Sequence, residues 1–167
     1  MRVGLFYQIQ VPKPWTATSE AQRIYEALEE IPYAEQMGFE SVWFTEHHFR
    51  PVWSHNSAPD LTLAAISQRT SRIRLGVGVV LAPIHHPLHV AARMATLDIL
   101  SHGRVDVGLG RTGYPYQLTP YGSDLGDTRG MWLEFADMLP KIWTQEEFSY
   151  NGTYFKTPLR EVLPKPL

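Results

Sequence analysis

Short apolar runs of strand character alternate four times with longer stretches that carry apolar residues at helical spacing, and no other feature limits the fold so strongly. Val3 to Tyr7 is a mostly apolar run that stops before Pro12-Lys13-Pro14, as a fully buried strand does. Ser19-Glu20-Ala21-Gln22 reads as a capping box, followed by Ile24, Leu28 and Ile31 on one helical face, with a kink expected at Pro32 and a C-cap at Gly38. Phe39 to Thr45, rich in aromatic and β-branched residues, is the second strand. Ser57, Pro59 and Asp60 look like a helix start leading into Leu61 to Ile66, and Ile73 to Leu81 is the third strand. Pro87 opens a third helix whose face is Leu88, Ala91, Ala95 and Ile99, ended by Gly103, and Arg104 to Leu109 is the fourth strand. A loop rich in Gly, Pro and Tyr leads to a fourth helix marked by Met131, Phe135, Leu139 and Ile142, with a bend expected at Pro140. Phe148 to Phe155 reads as a β-hairpin on a two-residue Asn151-Gly152 turn, which is also how the glycosylation-like Asn151-Gly152-Thr153 is read.

Strands that each precede a helix imply parallel βαβ units, so the class is α/β. An open doubly wound sheet and a barrel both fit, and periodicity does not separate them. A complete (β/α)₈ barrel takes about 250 residues, so on the barrel reading these 167 residues supply the first four βα units and a hairpin, with strands one and four as edges. No linker or low-complexity segment divides the chain, and residues 1–167 read as one domain, 44% apolar and able to bury a core. Fifteen Lys and Arg against seventeen Asp and Glu leave no electrostatic footprint for nucleic acid or an anionic membrane, which points to small-molecule partners. The apolar run at the N-terminus is too short for a signal peptide, so a cytoplasmic protein is expected. There is no cysteine, hence no thiol nucleophile and no Cys-based metal site.

Candidate chemistry gathers at strand ends. Glu46-His47-His48-Phe49 follows the second strand, where parallel α/β folds collect catalytic groups; an imidazole there can relay a proton and an adjacent carboxylate can orient it, or the histidine can simply be satisfied by backbone. Arg111 and Arg129 flank the loop after the fourth strand and would suit a phosphate-bearing cofactor if they converge, or be solvated if they do not. Gly108-Leu109-Gly110-Arg111-Thr112-Gly113 matches a dinucleotide fingerprint, but Pro115 and Pro120 make a loop where that motif needs a helix. His85 and His89 have the spacing of a metal pair, yet Pro87 interrupts it and no third ligand is evident, so no metal is expected.

The run Met37-Gly38-Phe39-Glu40-Ser41-Val42-Trp43, then Glu46-His47-His48-Phe49, Leu75-Gly76, Val79-Val80-Leu81, His86-Pro87, Leu97 to Arg104 and Gly108 to Arg111 resembles the bacterial luciferase α-subunit and its monooxygenase relatives, in order and approximate spacing. The resemblance implies a (β/α)₈ barrel, of which the chain would be the N-terminal half, binding reduced FMN at the C-terminal strand ends. It implies O₂ and a small apolar organic substrate as reactants, a separate flavin reductase as partner, and a homo- or heterodimer. By position it makes His47 the catalytic histidine with Glu46 orienting it, Arg111 and Arg129 the flavin-phosphate ligands, and Gly78-Val79 a cis peptide beside the flavin ring. Luciferase has a reactive cysteine where this chain has Gly110, so monooxygenation is expected without light. A deazaflavin-dependent hydride-transfer oxidoreductase and a non-catalytic flavin-binding fragment or partner subunit are the alternatives.

Overall fold

Alternate residues of each strand enter different surroundings, and this decides between the two architectures. The computed structural model describes residues 1–167. Its elements are β1 (Gly4–Tyr7), α1 (Ser19–Gln36), β2 (Ser41–Phe44), α2 (Pro59–Ser67), β3 (Arg74–Leu81), α3 (Pro87–Leu100), β4 (Val105–Gly110), α4 (Pro115–Leu118), α5 (Thr128–Thr144), β5 (Glu147–Asn151) and β6 (Lys156–Glu161), with 3₁₀ turns at Ala82–Ile84 and Thr119–Tyr121. The first four strands form a parallel sheet in sequential order, in register Gly4 to Ser41, Ser41 to Arg74 and Leu75 to Val105. Val42, Phe44, Leu75 and Val77 point into one core with Ala27 and Ile31 of α1, Leu63 and Ile66 of α2, Val90 and Met94 of α3, and Phe135 and Met138 of α5. A doubly wound sheet carries helices on both faces and reverses its strand order. Sequential order with every long helix packed into a single core is instead the arc of a (β/α)₈ barrel.

The opposite face, which a barrel turns inward, carries Phe6, Trp43 and a patch of glycines. Phe6 is 70% exposed, on an edge strand. The Trp43 indole lies across β3 and β4: a Cβ at Gly76 would run into the ring, and one at Gly78 or Gly108 would meet it at 3.4 or 3.6 Å. The absent side chains are what let an indole lie flat on this surface. β3 has two residues, Gly78 and Val79, opposite one on β4, because the register shifts between Val77 and Val80. This bulge returns Val80 to the helix-covered core.

At the N-terminal end of the sheet, side chains satisfy loop backbone. Glu35 accepts from the N–H groups of Arg72 (2.6 Å), Ile73 (2.8 Å) and Ser71 (3.0 Å). Arg104, 8% exposed, donates to the carbonyls of Ser101 (2.6 Å), Ser67 and Ile73 (both 2.9 Å) and to Thr70 Oγ1 (2.9 Å).

Several local expectations are corrected. Thr18 is the N-cap of α1, and Ser19 Oγ accepts from the Thr16 N–H, so the capping box does not form. Ala58, not Ser57, precedes α2, and Asp60 pairs with Arg93 at 3.0 Å. Ile99 is 40% exposed because α3 buries Val90, Met94 and Leu97 instead. The loop after β4 contains the short helix α4. The hairpin joins Asn151 to Lys156 through residues 152–155, a longer loop than an Asn-Gly turn. Glu134 of α5 explains it, accepting from the N–H groups of Thr153 (2.7 Å), Tyr154 (3.0 Å) and Phe155 (3.1 Å) while Phe155 packs on Phe135.

Gly76→Ala should destabilise the fold by about 1–3 kcal/mol, since the methyl must displace a large ring from a paired strand. Gly113→Ala, with nothing within 4 Å of the added carbon, should stay within about 0.5 kcal/mol of the parent. Urea denaturation followed by tryptophan fluorescence measures both.

Candidate active site

Glu46 sits just beyond β2 with 4% of its surface exposed, and a carboxylate that deep must find donors. Oε1 accepts from His85 Nε2 at 2.6 Å and His48 Nε2 at 2.7 Å, and Oε2 accepts from the Leu81 N–H at 3.0 Å. Burial works against ionisation, but the two histidine hydrogen bonds, the charge of His85 and the Leu81 N–H outweigh it and hold the carboxyl at about 2. With Nε2 of His48 donating to the carboxylate, its Nδ1 accepts from Tyr121 Oη at 2.9 Å. One buried charge thus joins the ends of β2 and β3 to the loop after β4. These three ligating side chains have atoms within 4.8 Å of one another, and hydrogen bonding accounts for their grouping. His85 is therefore committed to Glu46, and His89 stands in α3 beside His86, with ring centroids 6.0 Å apart, not opposite His85.

The expected contact between Glu46 and His47 is not made. Consecutive residues of an extended chain project to opposite sides, and Glu46 turns with His48 while His47 turns the other way. His47 packs edge-on against Trp53, centroids 5.4 Å apart, and Trp53 in turn meets Tyr114 at 5.2 Å. Its Nδ1 is buried without a protein partner. Burial pushes the imidazole below its ordinary range, reinforced by His48 and opposed by the charge of Glu46, so it is neutral at neutral pH.

At the end of β4 the two expected arginines border the same cleft. Arg111 and Arg129 line one cleft of about 360 Å³ with Leu109, Gly110 and Trp132. Neither guanidinium pairs with a carboxylate. Trp132 Nε1 is buried with no partner. The Gly78–Val79 peptide is cis. Gly110 lies so close to Val79 that a Cβ there would collide with its methyl group. The glycine fingerprint opens only the four-residue α4, too short for a dinucleotide-binding helix.

Reading the sequence missed His48 and His85 as partners of Glu46, and Tyr121 and Trp132 altogether. Trp132 had a signal, standing three residues after Arg129 and so on the same helical face. Buried side-chain atoms without partners also mark this end of the sheet: Thr45 Oγ1, His47 Nδ1, His55 Nε2, Asn56 Nδ2, Gln117 Oε1 and Trp132 Nε1 all follow a strand's C-terminal end, and only Thr157 Oγ1 lies elsewhere. Such atoms are uncommon in native interiors, and their clustering marks a place for a ligand or water.

The family model described as luciferase-like monooxygenase matches residues 1–167. The chain belongs to the luciferase-like monooxygenase family. It is 39% identical over 124 residues to 4-hydroxyprotoasukamycin monooxygenase of Streptomyces nodosus subsp. asukaensis, covering 74% of this chain and 33% of that protein. It is 28% identical over 172 residues to the oxygenase component of flavin-dependent trigonelline monooxygenase of Acinetobacter baylyi, covering 100% and 46%. Among solved structures, the monooxygenase RslO1 of Streptomyces bottropensis superposes with a TM-score of 0.92 at 30% identity, over 99% of this chain and 50% of that one. An F420-dependent secondary alcohol dehydrogenase shares the fold, with a TM-score of 0.80 at 24% identity over 99% and 49%. The luciferase-like chain thus spans between a third and a half of the length of these proteins. No helix is long and apolar enough to cross a membrane.

Because Glu46 is held below its ordinary 4.5, its ionised form stabilises the fold above that pH, and the contribution is lost as pH falls from about 4.5 to about 2. Glu46→Gln should cost roughly 2–3 kcal/mol near neutrality. Its urea midpoint should also fall less steeply than the parent's over the acid window; parallel curves would assign the acid sensitivity to other groups.

Proposed function

We propose that this chain is the N-terminal half of a one-domain barrel oxygenase that binds reduced FMN at the C-terminal strand ends and oxygenates a small organic substrate, drawing its flavin from a separate reductase. That Arg111 and Arg129 line one cleft carries the reading. The donor set fits a phosphate: two unpaired guanidiniums, the orphaned Trp132 N–H, and the first turn of α5, where backbone N–H groups carry partial positive charge. The oxygenase-component name of the Acinetobacter relative supports a two-component system.

Reduced FMN, when bound, supplies the electrons that let O₂ deliver one oxygen atom to an organic substrate. His47 is the residue of this chain suited to move a proton beside that chemistry. It is neutral, and no hydrogen bond fixes its Nδ1, so its tautomer can follow the reaction. Trp53 covers it on one side. Glu46 acts at one remove, holding the end of β2 from which His47 projects.

In the intact enzyme, Arg111→Ala and Arg129→Ala should each weaken FMN binding by about 1–3 kcal/mol in a fluorescence titration; unchanged affinity in both would remove the phosphate role. The absorption spectrum of the bound cofactor separates FMN from a deazaflavin. With FMNH₂ supplied, His47→Ala should lower turnover by ~10²-fold or more while binding flavin normally, whereas His48→Ala, which breaks the Glu46 network, should act through stability. A His47 variant as active as the parent, with chemistry limiting, would reject the assignment.

A further inference from the structure

Beyond the flavin cleft, a third unpaired arginine stands on the His47 side of the rim. Arg50 is exposed, has no carboxylate within ion-pair distance, and none of its five side-chain N–H donors meets a protein acceptor. The guanidinium is nevertheless held in place. Its carbon lies 4.3 Å from the centre of the Trp53 ring and 5.5 Å from that of Tyr116. Tyr116 packs on Tyr114 at 5.5 Å, and Tyr114 packs on Trp53. The loops after β2 and β4 thereby meet in one aromatic wall with a single cation on it and His47 at its inner end.

The backbone of both loops is bent to build this wall. Phe49, just before Arg50, has φ 59°, and Thr112, just before the tyrosines, has φ 47°, a left-handed region that non-glycine residues enter at a cost. Non-glycine residues in that region gather at ligand-binding sites. A tight turn, with the Trp53 N–H donating to the Arg50 carbonyl at 2.9 Å, then folds the arginine back over the indole. A guanidinium over aromatic rings, with no protein acceptor at its N–H groups, keeps that fork of donors available to receive a carboxylate bidentately.

We propose that Arg50, with Trp53 and Tyr116, is a substrate-recognition site that selects molecules with a planar, preferably aromatic, body bearing a carboxylate. The carboxylate takes the guanidinium edge and the ring lies along the aromatic wall, which brings the remainder of the molecule towards His47. The proposal rests on the reading of His47 as the reacting corner, but Arg50 has no part in holding flavin phosphate.

The test is binding of benzoate, with benzamide as its uncharged match, followed in the protein by NMR at the Arg50 side chain and the Trp53 indole N–H. Benzoate should bind and shift both signals, and benzamide should bind at least tenfold more weakly. Arg50→Gln should weaken benzoate about ten- to a hundredfold with no change for benzamide, and Arg50→Lys, which keeps the charge and loses the fork, should recover part of the loss. Arg111→Ala should leave benzoate affinity intact. No saturable benzoate binding, equal affinity for benzamide, or benzoate affinity lost on Arg111→Ala but kept on Arg50→Gln would each overturn the assignment. Should FMN affinity survive Arg111→Ala and Arg129→Ala while benzoate still needs Arg50, the flavin reading fails and the anion site stands.

Discussion

Removing a carboxylate from water is so unfavourable that the protein around it has to be organised to compensate, and in this fold that carboxylate is Glu46. Three donors from three places in the sequence meet it: His48 two residues on, Leu81 at the end of β3, and His85 in the turn beyond. Tyr121 extends the arrangement to the loop after β4 through the other nitrogen of His48. Loops that would otherwise be independent become one hydrogen-bonded unit, and the position of His47 follows from it. His47, the residue proposed to move a proton, is the one this network leaves out.

The two ends of the sheet treat polar groups in opposite ways. Near Glu35 and Arg104, donors and acceptors are matched to loop backbone, as a face concerned with stability requires. Near Glu46, the ends of the strands carry Arg50, Arg111 and Arg129 without carboxylates and a set of buried atoms without partners. Arg104 belongs to the sequence pattern that suggested the family, yet its five-point contact with carbonyls and a hydroxyl makes it a structural staple. Membership of a shared motif therefore does not distinguish a functional arginine from an architectural one; the nature of its partners does.

What the sequence revealed about this fold was whatever depends on local periodicity. All four parallel strands, the four long helices and the faces of α1 and α5 follow from apolar spacing, and the shared cleft of Arg111 and Arg129 follows from their placement at a strand end and a helix start. The errors share one cause, a partner that periodicity does not reveal. Asn151-Gly152 is a sound hairpin turn in isolation, but Glu134 draws the next three N–H groups into a wider loop. Adjacent Glu46 and His47 looked like a pair, but His85, 39 residues away, takes the carboxylate. Ser19 looked like a cap until its hydroxyl turned to Thr16.

The contact between Gly110 and Val79 bears on how such a site survives its own reaction. A family that works with activated oxygen exposes nearby sulfur to stepwise oxidation, from sulfenic to sulfonic acid, the later steps of which are irreversible. Here the valine methyl occupies the space that a thiol-bearing side chain at position 110 would need, and none of the 167 residues is cysteine. Within this chain there is no thiol to oxidise, and methionines and aromatic rings are its oxidisable side chains.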